Sequence, residues 1–147
     1  MDGGGIRVGL CVMRRQHISS EAEQQHKADV ALAGRREELL AAAQETEARF
    51  REAQARNAPV AEVHTLAEDL DAALTAAMQA AYAAQRAEIG PRGYDDRIYR
   101  RKAKAKRAVH ALTAQAEHLL TLRETHRLND IPAEPLEPAI EPLEPAI

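Results

Sequence analysis

Apolar side chains recur along the middle of the chain with the spacing of an α-helix. Over residues 59–89 they fall on one stripe when each residue advances by about 100°, and most polar side chains gather on the opposite side. The stripe consists of Val63, Leu66, Leu70, Ala73, Leu74, Ala77, Ala81 and Ala84. This pattern predicts an amphipathic helix with one buried face.

Turn-forming residues separate this stripe from two further helical segments. The first segment opens at Ser19 and Ser20, and Glu23 follows Ser20 at the spacing of a reciprocal helix cap. It extends to about residue 57, and its apolar side chains in register are Leu32, Leu39, Ala43 and Phe50. Gly34 and the two arginines after it interrupt that register, so we expect a kink or a break there.

The third segment follows a Gly-Pro break, where Gly90 can adopt a left-handed cap and Pro91 cannot continue the second helix. Asp95 or Asp96 can cap its first turn, and it extends to about Leu128. Steps of seven and four residues place its apolar side chains on one stripe, as in the seam of a coiled coil. The stripe consists of Ile98, Ala105, Val109, Leu112, Ala116, Leu119 and Leu120.

These patterns predict an all-α protein in which three long helices form an antiparallel bundle or a coiled-coil-like arrangement over residues 19–129. β-branched residues are sparse in this part of the chain. We expect a flexible N-terminal arm over residues 1–18 and a disordered, acidic, Pro-rich tail over residues 130–147. Because alanines line much of the seam, the bundle buries little apolar area per residue, and association with another chain would add stability. A codon bias toward Ala and Arg could equally account for the alanines.

Positive charge is concentrated in one segment of the chain. Residues 92–107 carry eight Lys or Arg side chains and two carboxylates, although the formal net charge of the whole chain is -3. Three of the four lysines lie in this segment. Such asymmetry is typical of a surface that meets an anionic partner.

Seven of these cations are the candidate polyanion-binding residues. They are Arg97, Arg100, Arg101, Lys102, Lys104, Lys106 and Arg107. Nucleic-acid phosphates would suit them, and Tyr94 and Tyr99 could stack on an exposed base. The same cations could instead meet an acidic protein surface, pair internally with the acidic first and second helices, or bind anionic lipid, for which bulky apolar neighbours are lacking.

The C-terminal sequence contains the seven residues EPLEPAI twice. Prolines at this density favour an extended chain, which could offer two copies of a ligand to a partner. The candidate partner-binding residues are Leu136, Ile140, Leu143 and Ile147. The duplication could equally lack a selected role, or its four carboxylates could fold back on the basic segment and compete with an anionic partner.

No motif for catalysis, metal binding or a cofactor stands out. His110, His118 and His126 lie eight residues apart and cannot share one ion, so we expect solvated helix histidines. The glycines near the N-terminus lack the Lys and Ser or Thr of a phosphate-binding loop. Cys11 is the single cysteine and cannot form an internal disulfide, which fits a reducing, cytoplasmic compartment. No stretch predicts a membrane span or an export signal.

The sequence therefore predicts a non-enzymatic interaction or assembly protein that uses helix faces to bind itself or a larger protein partner. The alternative is a nucleic-acid-associated accessory protein that binds phosphates through the basic start of its third helix. Neither function calls for a cofactor or a small-molecule substrate. Salt-dependent binding of polyanions would separate the two.

Overall fold

Six α-helices form the regular secondary structure of residues 18–131, the part of the chain that this computed structural model describes. They are α1 (Ser20–Ala33), α2 (Arg36–Ala55), α3 (Val60–Ile89), α4 (Arg92–Asp95), α5 (Arg97–Ala103) and α6 (Arg107–Asp130). No strand occurs in these residues, which confirms the all-α prediction for them. The predicted arm and tail lie outside the described residues, apart from Ile18, Asp130 and Ile131. Within residues 18–131, each helix is either too short or too polar to cross a bilayer.

The prediction of three long helices is not confirmed in detail, because the first predicted helix is divided at the expected kink or break and the third is divided as well. The first is divided at Gly34 and Arg35, between α1 and α2. The Gly34 N–H donates to the Val30 carbonyl, and the Arg35 N–H donates to the Leu32 carbonyl in a tighter turn. The interruption of the apolar register at these residues therefore marks a helix boundary.

The third predicted helix is divided at residues 104–106, which join α5 to α6. Ala103 at the end of α5 and Val109 in α6 are both buried, and they form a small apolar cluster with Ile89 of α3. On an unbroken helix these two side chains would point about 120° apart, because Val109 follows Ala103 by six positions. The turn allows both of them to reach Ile89.

Helix α3 lies at the centre of the described structure and packs against α1, α2 and α6. Every residue of its predicted apolar stripe is buried or half-buried. Four alanines in its second half, Ala77, Ala80, Ala81 and Ala83, are completely buried. Because their side chains are small, neighbouring helices can approach the α3 backbone from more than one side.

The main core lies between α2, α3 and α6. Phe50 of α2 is 1% exposed and packs in one cluster with Leu70 and Leu74 of α3 and with Leu119 of α6. The burial predicted for Phe50, Leu70 and Leu74 is confirmed, and each of these side chains can bury more apolar area than an alanine of the same core.

His126 of α6 is part of this core. It is 4% exposed, and its ring packs edge to face against Phe50, with 5.5 Å between the ring centroids. Its Nδ1 atom lies 2.9 Å from the Asp130 carboxylate, and its Nε2 atom lies 2.7 Å from the Ala67 carbonyl oxygen of α3. The prediction of solvated histidines is therefore wrong for His126, whose polar atoms bind neighbouring groups instead of water.

Candidate polyanion-binding surface

The seven candidate cations lie on α5, on the turn at residues 104–106 and at the first residue of α6. The chain reaches this region after α3 ends at Ile89. There Gly90 has a φ of 94° and a ψ of 174°. The positive φ is one that glycine adopts without steric cost, as predicted, but the extended ψ is not that of a left-handed helical cap. The short helix α4 follows, and an extended Asp96 separates α4 from α5.

Asp96 fixes the start of α5. Its side chain accepts a hydrogen bond from the Tyr99 N–H at 2.9 Å, which confirms one of the two predicted caps. This hydrogen bond, together with the nearby positive charge of Arg92, holds the pKa of Asp96 below its usual value. The other candidate cap, Asp95, instead accepts hydrogen bonds from the N–H and the hydroxyl of Ser19, at 2.9 and 3.0 Å.

Ser19 joins the beginning of α1 to α4. While its N–H and hydroxyl donate to Asp95, its hydroxyl oxygen also accepts a hydrogen bond from the Ala22 N–H at 3.1 Å. Ser19 is therefore the N-cap of α1, and the cap predicted at Ser20 is wrong.

A partly buried ion pair between α1 and α3 also binds a tyrosine of α4. Asp29 of α1 is 6% exposed and accepts two hydrogen bonds from the Arg86 guanidinium of α3, at 2.8 and 3.0 Å. It also accepts a hydrogen bond from the hydroxyl of Tyr94 in α4. His26, one turn before Asp29, meets the Tyr94 ring edge to face. The Asp29 carboxylate of α1 thus binds side chains of α3 and of α4, the helix that precedes α5.

The hydrogen bonds at Asp29 outweigh the cost of its burial. Burial by itself would raise the pKa of this carboxyl, but the hydrogen bonds from Arg86 and Tyr94 and the positive charges of Arg86 and His26 hold the pKa below its usual value. The hydrogen bond to Asp29 in turn raises the pKa of Arg86. Burial, the hydrogen bond and the adjacent carboxylate all raise the pKa of the Tyr94 phenol. The group is therefore a charged pair with a neutral phenol as an additional donor.

Six of the seven candidate cations are exposed to solvent. These six residues, named the basic surface below, are Arg97, Arg101, Lys102, Lys104, Lys106 and Arg107. Arg100 is different because it is half-buried and its guanidinium donates to the Gly93 carbonyl oxygen at 3.2 Å. Arg100 holds α5 against α4, so we exclude it from the basic surface.

No carboxylate neutralises the basic surface within residues 18–131. None of its six residues has a carboxylate oxygen of that part of the chain within 4.0 Å, whereas eight of the nine described arginines outside the seven candidates do. The two carboxylates of the same segment bind elsewhere, Asp95 to Ser19 and Asp96 to Tyr99 and Arg92. Internal pairing with the acidic first and second helices is thus not found among the described residues.

An exposed apolar side chain lies among these cations. Ile98 is 69% exposed and lines an open surface depression of about 560 Å³ together with Arg97, Arg101 and Lys102. The periodicity predicts Ile98 and Ala105 in the buried seam, and this prediction is wrong because both residues are exposed. The division of the helix accounts for this, since Ile98 lies on α5 and Ala105 in the turn, so neither continues the register of the buried α6 residues Val109, Ala116 and Leu119.

The two tyrosines of the segment are not free to stack on a base. Tyr94 is half-buried and its hydroxyl donates to Asp29. Tyr99 is also half-buried and packs against the cluster of Ile89, Ala103 and Val109. The Arg92 guanidinium lies over the Tyr99 ring, 4.4 Å from its centroid.

The ion pair of Asp29 with Arg86 is the functional-site feature that the sequence did not reveal. The two residues are 57 positions apart, and Arg86 falls on the polar side of its predicted helix. Opposite charges on two predicted helices are too common to single out one pair, so no pattern within the sequence identifies this contact.

The candidate tail residues Leu136, Ile140, Leu143 and Ile147, and Cys11 in the N-terminal segment, lie outside the described residues. Among residues 18–131, no three His, Cys, Asp or Glu side chains come together in the way that a metal site requires. Comparison of the chain with protein-family models, curated proteins and solved structures finds no match.

Proposed function

We propose that the protein is a non-enzymatic helical interaction protein and that its basic surface binds a polyanionic partner, the phosphate backbone of a nucleic acid. The observation that carries this proposal is the lack of neutralisation: six exposed cations within eleven residues have no carboxylate of the described chain within 4.0 Å.

The electrostatics of the basic surface favour an anionic partner. Like charges on so short a segment repel one another, and an anion that approaches them relieves this repulsion. A phosphate backbone also releases condensed counterions when cations neutralise it, which adds a favourable term at low salt. The contacts around Asp29 and Asp96 hold α4 and α5 in place, so binding would not have to order this part of the backbone.

The chemistry of the surface supports nucleic acid over the other anionic partners. Interfaces with DNA are more polar and much more positively charged than interfaces between proteins. The basic surface has one large exposed apolar side chain, Ile98, whereas an interfacial membrane helix needs a whole apolar face. An acidic protein surface is the nearest competitor, and the experiment below includes it.

Self-association through an apolar helix face is the second candidate function. Leu120, Leu122 and Leu128 of α6 are 36%, 38% and 83% exposed. They do not fall on one stripe of the helix, because Leu122 points about 160° away from Leu120. This scatter favours the basic surface as the principal site, and a molecular mass that increases with protein concentration in light scattering would support the second candidate instead.

The proposal is tested by removing charge from the basic surface. In fluorescence anisotropy, wild-type protein should bind a labelled nucleic acid of about 20 base pairs, and binding should weaken by about 10²–10³-fold between 50 and 200 mM salt if about four to six phosphates are neutralised. The triple variant Arg101→Gln, Lys102→Gln, Lys104→Gln should bind at least about tenfold more weakly, since it loses half of the six cations.

A matched control removes the same charge elsewhere. The variant Arg35→Gln, Arg49→Gln, Arg56→Gln changes three exposed arginines, each of which pairs with a nearby glutamate. It should keep nearly all of the affinity of the wild type. Equal loss in both triple variants, or binding of poly-glutamate in place of nucleic acid, would contradict the proposal. Circular dichroism at 222 nm confirms that each variant keeps its helices.

A further inference from the structure

We infer that the basic surface recognises the backbone of a double helix and does not stack on bases or read their sequence. This inference rests on the proposed function and narrows its ligand from nucleic acids in general to the duplex form. It depends on where the aromatic rings and the charges lie, which the sequence alone left open.

The tyrosine and phenylalanine rings of residues 18–131 are not available for stacking on bases. Proteins that prefer single strands stack the bases on exposed aromatic side chains, at about 1–3 kcal/mol for each base. Among residues 18–131, none of the tyrosine or phenylalanine side chains is exposed: Phe50 is buried, and Tyr82, Tyr94 and Tyr99 are half-buried. Tyr94 and Tyr99, the two nearest the basic surface in sequence, are held by Asp29 and beneath Arg92. Single-strand binding would therefore lack its usual source of affinity.

The density of phosphates along a duplex also favours the duplex over a single strand. A duplex presents about one phosphate for each 1.7 Å of its axis, about twice the density of one of its strands. Helix α5 carries three of the six cations, has seven residues and is about 10 Å long. These three cations therefore face a short length of nucleic-acid backbone. Within that length a duplex offers more phosphates than a single strand, and the surface can neutralise more of them.

The side chains of the basic surface and their arrangement favour contact with phosphates over readout of the base sequence. Residues 97–107 contain Arg, Lys, Ala, one Ile and one Tyr, and they lack the Asn and Gln side chains that pair with adenine. Their Arg and Lys side chains can read guanine only from within the major groove, which requires an element that carries them there. The cations are also divided among α5, a turn and the first residue of α6, so no single helix carries them all into a groove. Phosphate contacts made in this way position a protein on the duplex without selecting a sequence.

The experiment compares labelled 20-mers of one sequence as a single strand and as a DNA duplex, with a duplex of scrambled sequence and an RNA duplex as further arms. Wild-type protein should bind the DNA duplex roughly tenfold more tightly than the single strand, and the two DNA duplexes with affinities within about twofold. The RNA duplex should also bind more tightly than the single strand, because its two strands present more phosphates along the same length of axis.

Each contrary outcome has a separate meaning. Tighter binding of the single strand, or a clear preference for one duplex sequence, would overturn this inference and leave the proposed function standing. No binding of any of these nucleic acids would overturn both. His110 is an exposed ring in the first turn of α6. His110→Ala is therefore included, and a loss of single-strand binding with this variant would reveal base stacking and contradict the inference.

Discussion

The partly buried ion pair of Asp29 with Arg86 leads to a quantitative prediction about stability. Asp29→Ala removes the acceptor of three hydrogen bonds and leaves the Arg86 charge and the Tyr94 hydroxyl without their partner. Breaking a fully buried pair in this way costs about 3–5 kcal/mol. The Arg86 side chain is 39% exposed, so water can replace part of the lost contact, and we expect the free energy of unfolding to fall by about 2–3 kcal/mol.

A second variant removes an arginine-paired carboxylate that is more exposed and has no tyrosine donor. Asp71 of α3 also accepts two hydrogen bonds from one arginine, Arg127, but its side chain is 23% exposed against 9% for that of Asp29, while the two arginines are about equally exposed. Asp71→Ala makes the same change within a helix, so any gain in helix propensity is the same in both variants. Urea and thermal unfolding followed at 222 nm should show a clearly smaller loss for Asp71→Ala. For Asp29→Ala the melting temperature should fall by about 8–12 °C. Equal losses in the two variants would refute the reasoning.

The contribution of Asp29 should also depend on pH. Its pKa in the folded protein lies below the ordinary value of 3.8, so the carboxylate stabilises the fold fully above pH 3.8 and loses this effect as the pH falls through the folded-state value. The difference in stability between the wild type and Asp29→Ala should therefore be constant near neutral pH and should shrink below about pH 3.8. A difference that persists unchanged in acid would show that the charge of Asp29 is not its source.

Two further predictions concern the backbone and the core. Gly34 has an α-helical φ of -63° and room for a methyl group, so Gly34→Ala should stabilise the protein by about 0.4–1 kcal/mol. Gly90 has a φ of 94°, which other residues adopt only with strain, so Gly90→Ala should destabilise the protein by about 1–3 kcal/mol. Urea titrations should give these opposite signs, and the same sign in both would argue against the described turns. His126→Ala should lower the free energy of unfolding by about 2–4 kcal/mol, because it removes a buried ring and its hydrogen bond to Ala67. His118 lies on the same helix but is exposed, so His118→Ala should lower the free energy of unfolding by less than about 0.5 kcal/mol. Similar urea midpoints for the two histidine variants would contradict the buried position of His126.

Features of the fold that depend on local patterns were predictable from the sequence. The α3 stripe follows from helical periodicity, which operates over a few residues. The end of α3 follows from the conformational freedom of Gly90, and the start of α5 follows from the capping side chain of Asp96.

Features that depend on tertiary contacts were not predictable. Residues 104–106 are Lys, Ala and Lys, which favour a helix, so nothing in them signals the break between α5 and α6. The break allows Ala103 and Val109 both to contact Ile89, a residue in another helix. His126 is buried for a similar reason, because its partner Ala67 lies 59 residues away.

The candidate site likewise has features that were predictable from the sequence and features that were not. Its location was predictable because charge clustering is a property of the sequence itself. Whether each cation is paired or exposed depends on the arrangement of the helices, which is why the sequence pattern includes Arg100 in the site and assigns Ile98 to the core. The unavailability of Tyr94 likewise depends on Asp29, a residue in a different helix.

The salt dependence of duplex binding tests the central claim most directly. When the logarithm of the association constant is plotted against the logarithm of the salt concentration, wild-type protein should give a slope of roughly -4 to -5, because each neutralised phosphate contributes about -0.9. The variant Arg101→Gln, Lys102→Gln, Lys104→Gln should have a slope that is shallower by about 2–3, and Arg35→Gln, Arg49→Gln, Arg56→Gln should keep the wild-type slope. A wild-type slope near zero, or one that is unaffected by loss of the three cations of the basic surface, would contradict the claim that this surface binds phosphates.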